Sequence, residues 1–184
     1  MTTRDKFARR KPPMLFTYPG GKYKLAPKYQ RYYPLHHCFV SLFGGSGAEI
    51  MCKEPSPIEV FNDKDELVLN VFRVLQDDDL CEGLISLWDN TPNSRRQYEE
   101  CHRILRNPSP DVPLVRRAWA YLTCATTGFH GPHPALSRSW AIYHHAKNSR
   151  VPRLRRLPAT IQAWRDRFNL VSLEGKDWSE ILDL

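Results

Sequence analysis

The sequence predicts an α/β fold built on a parallel sheet, on three observations. "CFVSL", Cys38 to Leu42, is a run of β-formers that ends in Gly44, Gly45 and Gly47, after which a helical pattern begins. "SPIEVFND" then gives a second short strand, and "DELVLNVFRVLQ" follows it with Leu67, Val68, Val71, Phe72 and Leu75 at helical spacing. Finally "NLVSLEG" returns to strand character after a long helical stretch. The order strand, helix, strand, helix is that of parallel sheets with crossover helices.

Composition bounds the class. The chain has 184 residues, 41% of them hydrophobic, enough to bury a core in one domain with a sizeable insertion. No run approaches the ~20 apolar residues of a membrane span, and the basic N-terminus "MTTRDKFARRKPPM" has no apolar core of a secretory signal. The expected location is the cytoplasm. Cys38, Cys52, Cys81, Cys101 and Cys124 are odd in number and widely spaced, which suits reduced buried thiols. Cys38, entering an apolar strand, reads as core. The formal charge of +7 favours a polyanionic partner.

The elements follow in order. "MLFTYPGGKYK" begins as an apolar, strand-like run that meets a turn at Pro19-Gly20-Gly21, and a helix is expected to about Tyr33. Cys38 to Leu42 reads as a buried strand. Ser46 or Gly47 opens a helix through Met51, and the second strand ends at Asn62-Asp63. From Asp77 to Phe168 helices alternate with Pro, Asn and Ser clusters. "LCEGLISLW", "NSRRQYEECHRIL" with Ser94 as N-cap, and "LVRRAWAYLTCA" are helical. "TTGFHGPHPALSRS" is irregular, and Pro158 suits the first turn of "PATIQAWRDRF". Asp177 and Glu180 form a D-x-x-E capping box opening "WSEILDL". The division is therefore 1–76, 77–168 and 169–184.

A glycine turn between strand and helix lets a ligand approach the backbone, where the helix N-terminus offers free N–H groups. Gly44-Gly45-Ser46-Gly47 is neither G-x-G-x-x-G nor a nucleotide-triphosphate loop. Asp63 and Asp65 stand at the end of the second strand, where an acid in this topology accepts from ribose hydroxyls. An adenosine-bearing cofactor fits. Between Arg138 and Arg167 lie Arg138, Lys147, Arg150, Arg153, Arg155, Arg156, Arg165 and Arg167 against one acid, Asp166, with Trp140, Tyr143 and Trp164 among them. That stretch reads as a phosphate-facing surface, or else as a solvated basic loop and helix. His130, His133, His144 and His145 have no cysteine or carboxylate at ligand spacing, so no metal site is expected.

The series "TYPGGKYKLAP", "FVSLFGGSGAEIMCKEPSPIEVFNDKDELVLNVFRVLQD", "NSRRQYEE", "VRRAWAYL" and "FNLVSLEGKDWSEIL" resembles the Dam-type class of DNA adenine-N6 methyltransferases over nearly the whole chain. The resemblance implies a Rossmann-like methyltransferase fold, here an incomplete sheet, with a helical target-recognition insertion. It implies S-adenosyl-L-methionine as cofactor and double-stranded DNA as substrate. It places Tyr18, Gly20, Gly21 and Lys22 against the cofactor, Lys22 near its methionine end. Phe43, Gly44, Gly45, Ser46 and Gly47 form the cofactor turn, Asp63 meets the ribose, and Asp177 reaches the adenine amino group. Arg138, Lys147, Arg150, Arg153, Arg155 and Arg156 face DNA.

Two departures stand out. Ser41-Leu42 occupy the place of the acid and proline that the family carries before its phenylalanine. The Asp-Pro-Pro-Tyr element, which holds the target amine and stacks on the flipped base, does not occur in the sequence. Three readings remain. The first is the cofactor-binding and recognition portion of an adenine methyltransferase, inactive alone and completed by a C-terminal catalytic fragment. The others are a non-catalytic DNA-binding or regulatory relative, and a basic α/β RNA-binding protein.

Overall fold

The computed structural model describes residues 12–128, 140 and 151–182. In chain order these form α1 (Ala26–Tyr29), β1 (Cys38–Ser41), α2 (Ala48–Cys52), β2 (Ile58–Asn62), α3 (Glu66–Gln76), α4 (Asp78–Asp89), α5 (Arg95–Arg106), α6 (Leu114–Thr127), α7 (Val151–Phe168), β3 (Ser172–Glu174) and α8 (Trp178–Leu182). The three strands make one parallel sheet in the order β1-β2-β3, with Val40 opposite Val60 and Phe61 opposite Leu173. The α/β class and the parallel sheet are as the sequence predicts.

Local chemistry explains the helix starts. Asp65, Asp77 and Ser94 each accept a backbone N–H two or three residues on, from Leu67, Leu80 and Gln97. Helix α6 is buried almost all round from Ala118 to Cys124 because α3, α4 and α5 all pack on it. Apolar character on every side marks it as the centre of the helical stretch.

Four expectations change. Met14–Thr17 is in no strand, although Leu15 and Phe16 are fully buried. The helix expected to Tyr33 is only α1, flanked by 3-10 turns at Lys22–Lys24 and Gln30–Tyr32. Strand β1 is not a buried strand. Its side chains alternate across the sheet, so Ser41 is covered while Cys38 and Val40, on the other face with Ile58, stay exposed among the described residues. Cys38 is thus exposed and the other four cysteines are buried, all of them free.

The fourth change concerns Pro158, which lies inside α7 rather than in its first turn. A proline there has no N–H for the carbonyl four residues back. The Leu154 carbonyl instead accepts the Trp88 indole N–H at 3.0 Å, so α4 supplies the bond that the proline removes. At the far end of α7, the Gln76 amide donates to the Phe168 and Val171 carbonyls at 2.8 and 2.6 Å, which stops the helix and aims the chain into β3.

Helix α7 is locked to the sheet by a buried ion cluster. Glu59 of β2, 5% exposed, accepts from Lys53 at 2.5 Å and from both Arg167 guanidinium nitrogens at 2.5 and 2.8 Å. Arg167 also donates to the Ile50 carbonyl at 2.8 Å. Burial opposes the Glu59 charge, but hydrogen bonds from Arg167 and Lys53 outweigh it and hold the carboxyl below its usual range.

Glu59→Ala is expected to cost about 3–5 kcal/mol, because buried Lys53 and largely covered Arg167 lose their shared carboxylate. A urea midpoint measures this. The lowered folded-state pKa also means that the Glu59 contribution is complete above the ordinary value of 4.5 and is lost as pH falls through the depressed one. Glu59→Gln should therefore lose part of the wild type's added acid sensitivity; identical acid profiles would refute the assignment.

Candidate cofactor and DNA site

The sequence places its candidate cofactor residues around two glycine turns, and the structure brings most of them together at the C-terminal ends of the strands. Tyr18-Pro19-Gly20-Gly21 is a tight turn closed by the Gly21 N–H on the Tyr18 carbonyl at 2.9 Å. Pro19 and a positive φ of 68° at Gly20 give it the signature of type II. It leads into Lys22, whose ammonium donates to the Phe43 carbonyl at 3.2 Å and to Glu49 at 2.9 Å.

The second turn is bare because the protein's own rings occupy the space. A side chain at Gly44 would overlap the Phe61 ring, and one at Gly45 would stand 2.9 Å from the Tyr18 ring. One at Gly47 would come within 2.9 Å of Phe72, Trp164 and Phe168. Gly45, Ser46 and Gly47 are consequently buried, and Phe43 is the exposed residue of the turn, at 64%.

Two polar side chains fix this edge of the sheet. Asn62, almost fully buried, donates to the carbonyls of Leu42 and Lys176 at 2.9 and 3.1 Å and accepts from the Lys176 N–H at 3.0 Å, tying the ends of β1 and β3 across β2. Asp63 accepts from the Gly45 N–H at 2.6 Å with one oxygen and from the Asp65 N–H at 2.9 Å with the other. Sequence reasoning assigned no role to Asn62. Its signal was an amide closing a strand whose neighbours end at the same level.

Tyr18 is half-buried, and burial together with the charges of Asp63 and Asp65 pushes its phenol up to about 12. Tyr121, from the centre of α6, is fully buried and feels the same two carboxylates and Tyr18 itself, after burial the causes of its raised pKa. The Thr17 hydroxyl donates to the Ala125 carbonyl of α6 at 2.8 Å. The first turn is thus docked on the helical stretch as well as on the sheet. Asp177 lies at the end of β3 with both oxygens engaged, one by Lys64 at 2.8 Å and the other by the Ser179 N–H and hydroxyl. The hydrogen bonds from Lys64 and Ser179 lower its carboxyl to about 2. The Asp177 N–H meets Glu180 at 3.1 Å, as the capping box requires.

The groups left facing outward suit an adenosine bearing a charged amino acid. Lys22 uses two of its three ammonium protons among the described residues, leaving one for a carboxylate. Asp63 uses two of about four lone-pair positions, leaving acceptors for hydroxyls. Phe43 presents an exposed ring. S-adenosyl-L-methionine is compatible with this set.

A family model described as D12 class N6 adenine-specific DNA methyltransferase matches residues 18–135. The chain belongs to that family. No curated protein matches it. The matched residues of this methyltransferase-family chain take in both glycine turns, Asp63 and helices α3 to α6, and stop before α7, β3 and Asp177.

Of the residues expected to face DNA, Arg138, Lys147 and Arg150 lie outside the described residues, as do the four histidines considered for metal binding. Arg155 and Arg156 are exposed on α7, whereas Arg153 is half-buried near Tyr23, where its charge opposes the rise that burial causes in that phenol's pKa. Arg165 and Arg167, in the same basic run, are turned to Asp78 and Glu59. Arg155 lines a cleft of about 260 Å³ with Asn93, Ser94 and Gln97 at the start of α5. Exposed Arg95, Arg96, Arg103 and Arg106 continue along α5, with the Arg95 guanidinium 5.5 Å from the centre of the Trp140 ring. The sequence reading missed this second basic helix because Glu99 and Glu100 interrupt it. No helix of the described residues is long and apolar enough to cross a membrane, and none of their His, Cys, Asp or Glu side chains gather in a metal-binding group.

The two glycine turns give contrasting expectations. Gly20→Ala meets no atom within 4 Å and bears only the strain of its positive φ, about 1–2 kcal/mol. Gly47→Ala bears the same strain at φ 69° and in addition presses on three core rings. Thermal unfolding should show the larger loss for Gly47→Ala. Equal losses would mean that the rings give way freely.

Proposed function

We propose that this chain binds S-adenosyl-L-methionine at the C-terminal edge of its sheet and contributes the cofactor-binding and DNA-recognition portion of an adenine-N6 DNA methyltransferase of Rossmann-like fold. Residues 1–76 supply the cofactor side, 77–168 the recognition helices, and 169–184 the return to the sheet. The observation that carries the reading is the convergence of Lys22, Phe43 and Asp63 on one edge, inside the stretch that matches the methyltransferase family. Tyr18, Gly20 and Gly21 form the adjoining wall, Gly44 to Gly47 hold the turn in shape, and Asp177 faces the adenine end. The cofactor supplies an activated methyl group when bound. These residues bind and orient it, with Lys22 on its carboxylate and Asp63 on its ribose.

Double-stranded DNA is the proposed substrate, met by Arg155 and Arg156 with the arginines of α5, and by Arg138, Lys147, Arg150 and Arg153 from the same basic region. The chemistry of methyl transfer is assigned to an Asp-Pro-Pro-Tyr element, which these 184 residues lack. A complementing catalytic segment is therefore part of the reading. Its support is the outer edge of β1, which pairs with no strand among the described residues and would accept one.

Calorimetry should detect binding of S-adenosyl-L-methionine by the folded chain. Asp63→Ala should weaken it about tenfold or more by removing both the ribose acceptor and the tie to Gly45. Unchanged binding would remove Asp63 from the site. Binding to duplex DNA should weaken steeply as salt rises, and neutralising Arg155 and Arg156 together should lower the slope of log affinity against log salt by about 2. A double variant with the parent's slope would put the phosphate contacts elsewhere.

A further inference from the structure

The carboxylate on which the first cofactor turn is hung belongs to Glu49, a residue of α2 to which the sequence reading gave no role. Donors from three separate segments converge on it. Lys22, after the first turn, reaches one oxygen at 2.9 Å, and the Ser41 hydroxyl, at the end of β1, reaches the same oxygen at 3.2 Å. Tyr33, after the 3-10 turn, stands 3.4 Å from the other oxygen. Burial and the neighbouring Glu49 charge push the Tyr33 phenol up to about 12, so it stays a proton donor. The Glu49 side chain is 18% exposed, against 37% for Lys22, so the carboxylate is the more covered partner and the lysine side chain the more open one.

We propose that Glu49 is a positioning residue for the cofactor site: it holds the Lys22 ammonium over the Phe43 carbonyl, aimed at the carboxylate of an incoming nucleoside-linked amino acid. The inference rests on the cofactor reading given above. Ser41 brings no charge to the end of β1, and its hydroxyl is spent on Glu49, so the negative charge of this corner arrives from the helix after the turn rather than from the strand before it. The Ser41 hydroxyl already meets the Glu49 carboxylate at 3.2 Å, so position 41 borders the space that a carboxylate must fill here. Exchanging the two residues should therefore preserve the corner.

The test uses the full chain, with S-adenosyl-L-methionine and its product S-adenosyl-L-homocysteine, which keeps the carboxylate but lacks the sulfonium charge, as calorimetric ligands. It adds a ligand-free readout, the rate at which Lys22 is acetylated by an amine-reactive reagent, followed by mass spectrometry. Glu49→Gln keeps the shape and removes the charge. It should weaken both ligands by a similar factor, about fivefold for a partly exposed pair, and should speed Lys22 acetylation. The exchange Ser41→Glu with Glu49→Ser should recover the slow acetylation and the affinity for both ligands. Unchanged acetylation in Glu49→Gln would overturn the proposal. So would a loss confined to the sulfonium ligand, since Glu49 would then act on the sulfonium directly, and so would a folded exchange variant that recovers neither property. A wild-type chain that binds neither ligand would defeat the cofactor reading, and the acetylation rates alone would then decide whether Glu49 positions Lys22.

Discussion

The seating of a side-chain-free turn on a stack of aromatic rings governs the architecture. Phe72 is the centre of that stack, with ring centroids 4.4 Å from Phe61, 4.6 Å from Phe168 and 6.2 Å from both Phe16 and Trp164. These rings come from β2, α3, α7 and the N-terminal segment, so one contact unites the sheet with the helical stretch. Gly44 and Gly47 lie directly on it, where even a methyl group would collide. Interiors at crystal-like density tolerate little displacement, so the path of the turn follows from the rings beneath it. The shape of the candidate site is thus set by the hydrophobic core, and the residues that do the setting include Trp164 and Phe168, more than a hundred residues further along the chain.

Flat rings can slide over one another, and the polar groups remove that freedom. The Arg167 fork on Glu59 is bidentate and so fixes direction as well as distance between α7 and β2. Asn62 does the same for the ends of β1 and β3, spending three side-chain hydrogen bonds within the sheet's own edge. Asp63, the next residue, turns from the sheet to the Gly45 N–H. Two neighbouring residues therefore divide the work: Asn62 holds the strands level, and Asp63 holds the turn above them.

What was legible in the sequence follows from how local each feature is. The starts of α5 and α8 were readable because Ser94 and Asp177 act within three residues of themselves, and the structure shows Asp65 and Asp77 capping α3 and α4 in the same local way. The strand–glycine–helix order was readable for the same reason. The exposure of Cys38 and Val40 was not, since it depends on whether anything covers the second face of β1, and four consecutive β-formers look alike in either case. The place of Pro158 within α7 was hidden too. A proline ends a helix unless something replaces the lost bond, and Trp88, seventy residues earlier, is the replacement. Glu49 escaped notice because its three donors lie at positions 22, 33 and 41, with no common spacing.

The basic run between Arg138 and Arg167 shows why a charge count is a weak guide to a binding surface. On α7, Leu157, Thr160, Ile161, Trp164 and Phe168 form the buried stripe at helical spacing. Arg155 and Arg156 fall outside that stripe and stay in water, whereas Arg165 and Arg167 fall beside it and reach acids on α4 and β2. Four arginines within thirteen positions thus take on two kinds of work, two fastening the helix and two remaining for a polyanion. The positive charge this helix leaves exposed is smaller than the sequence suggests. The basic surface is extended instead by α5, whose start shares a cleft with Arg155. The basic surface made this way spans two helices that the core holds at a fixed separation through α6 and α4, and the spacing of its charges is therefore as rigid as the packing that supports it.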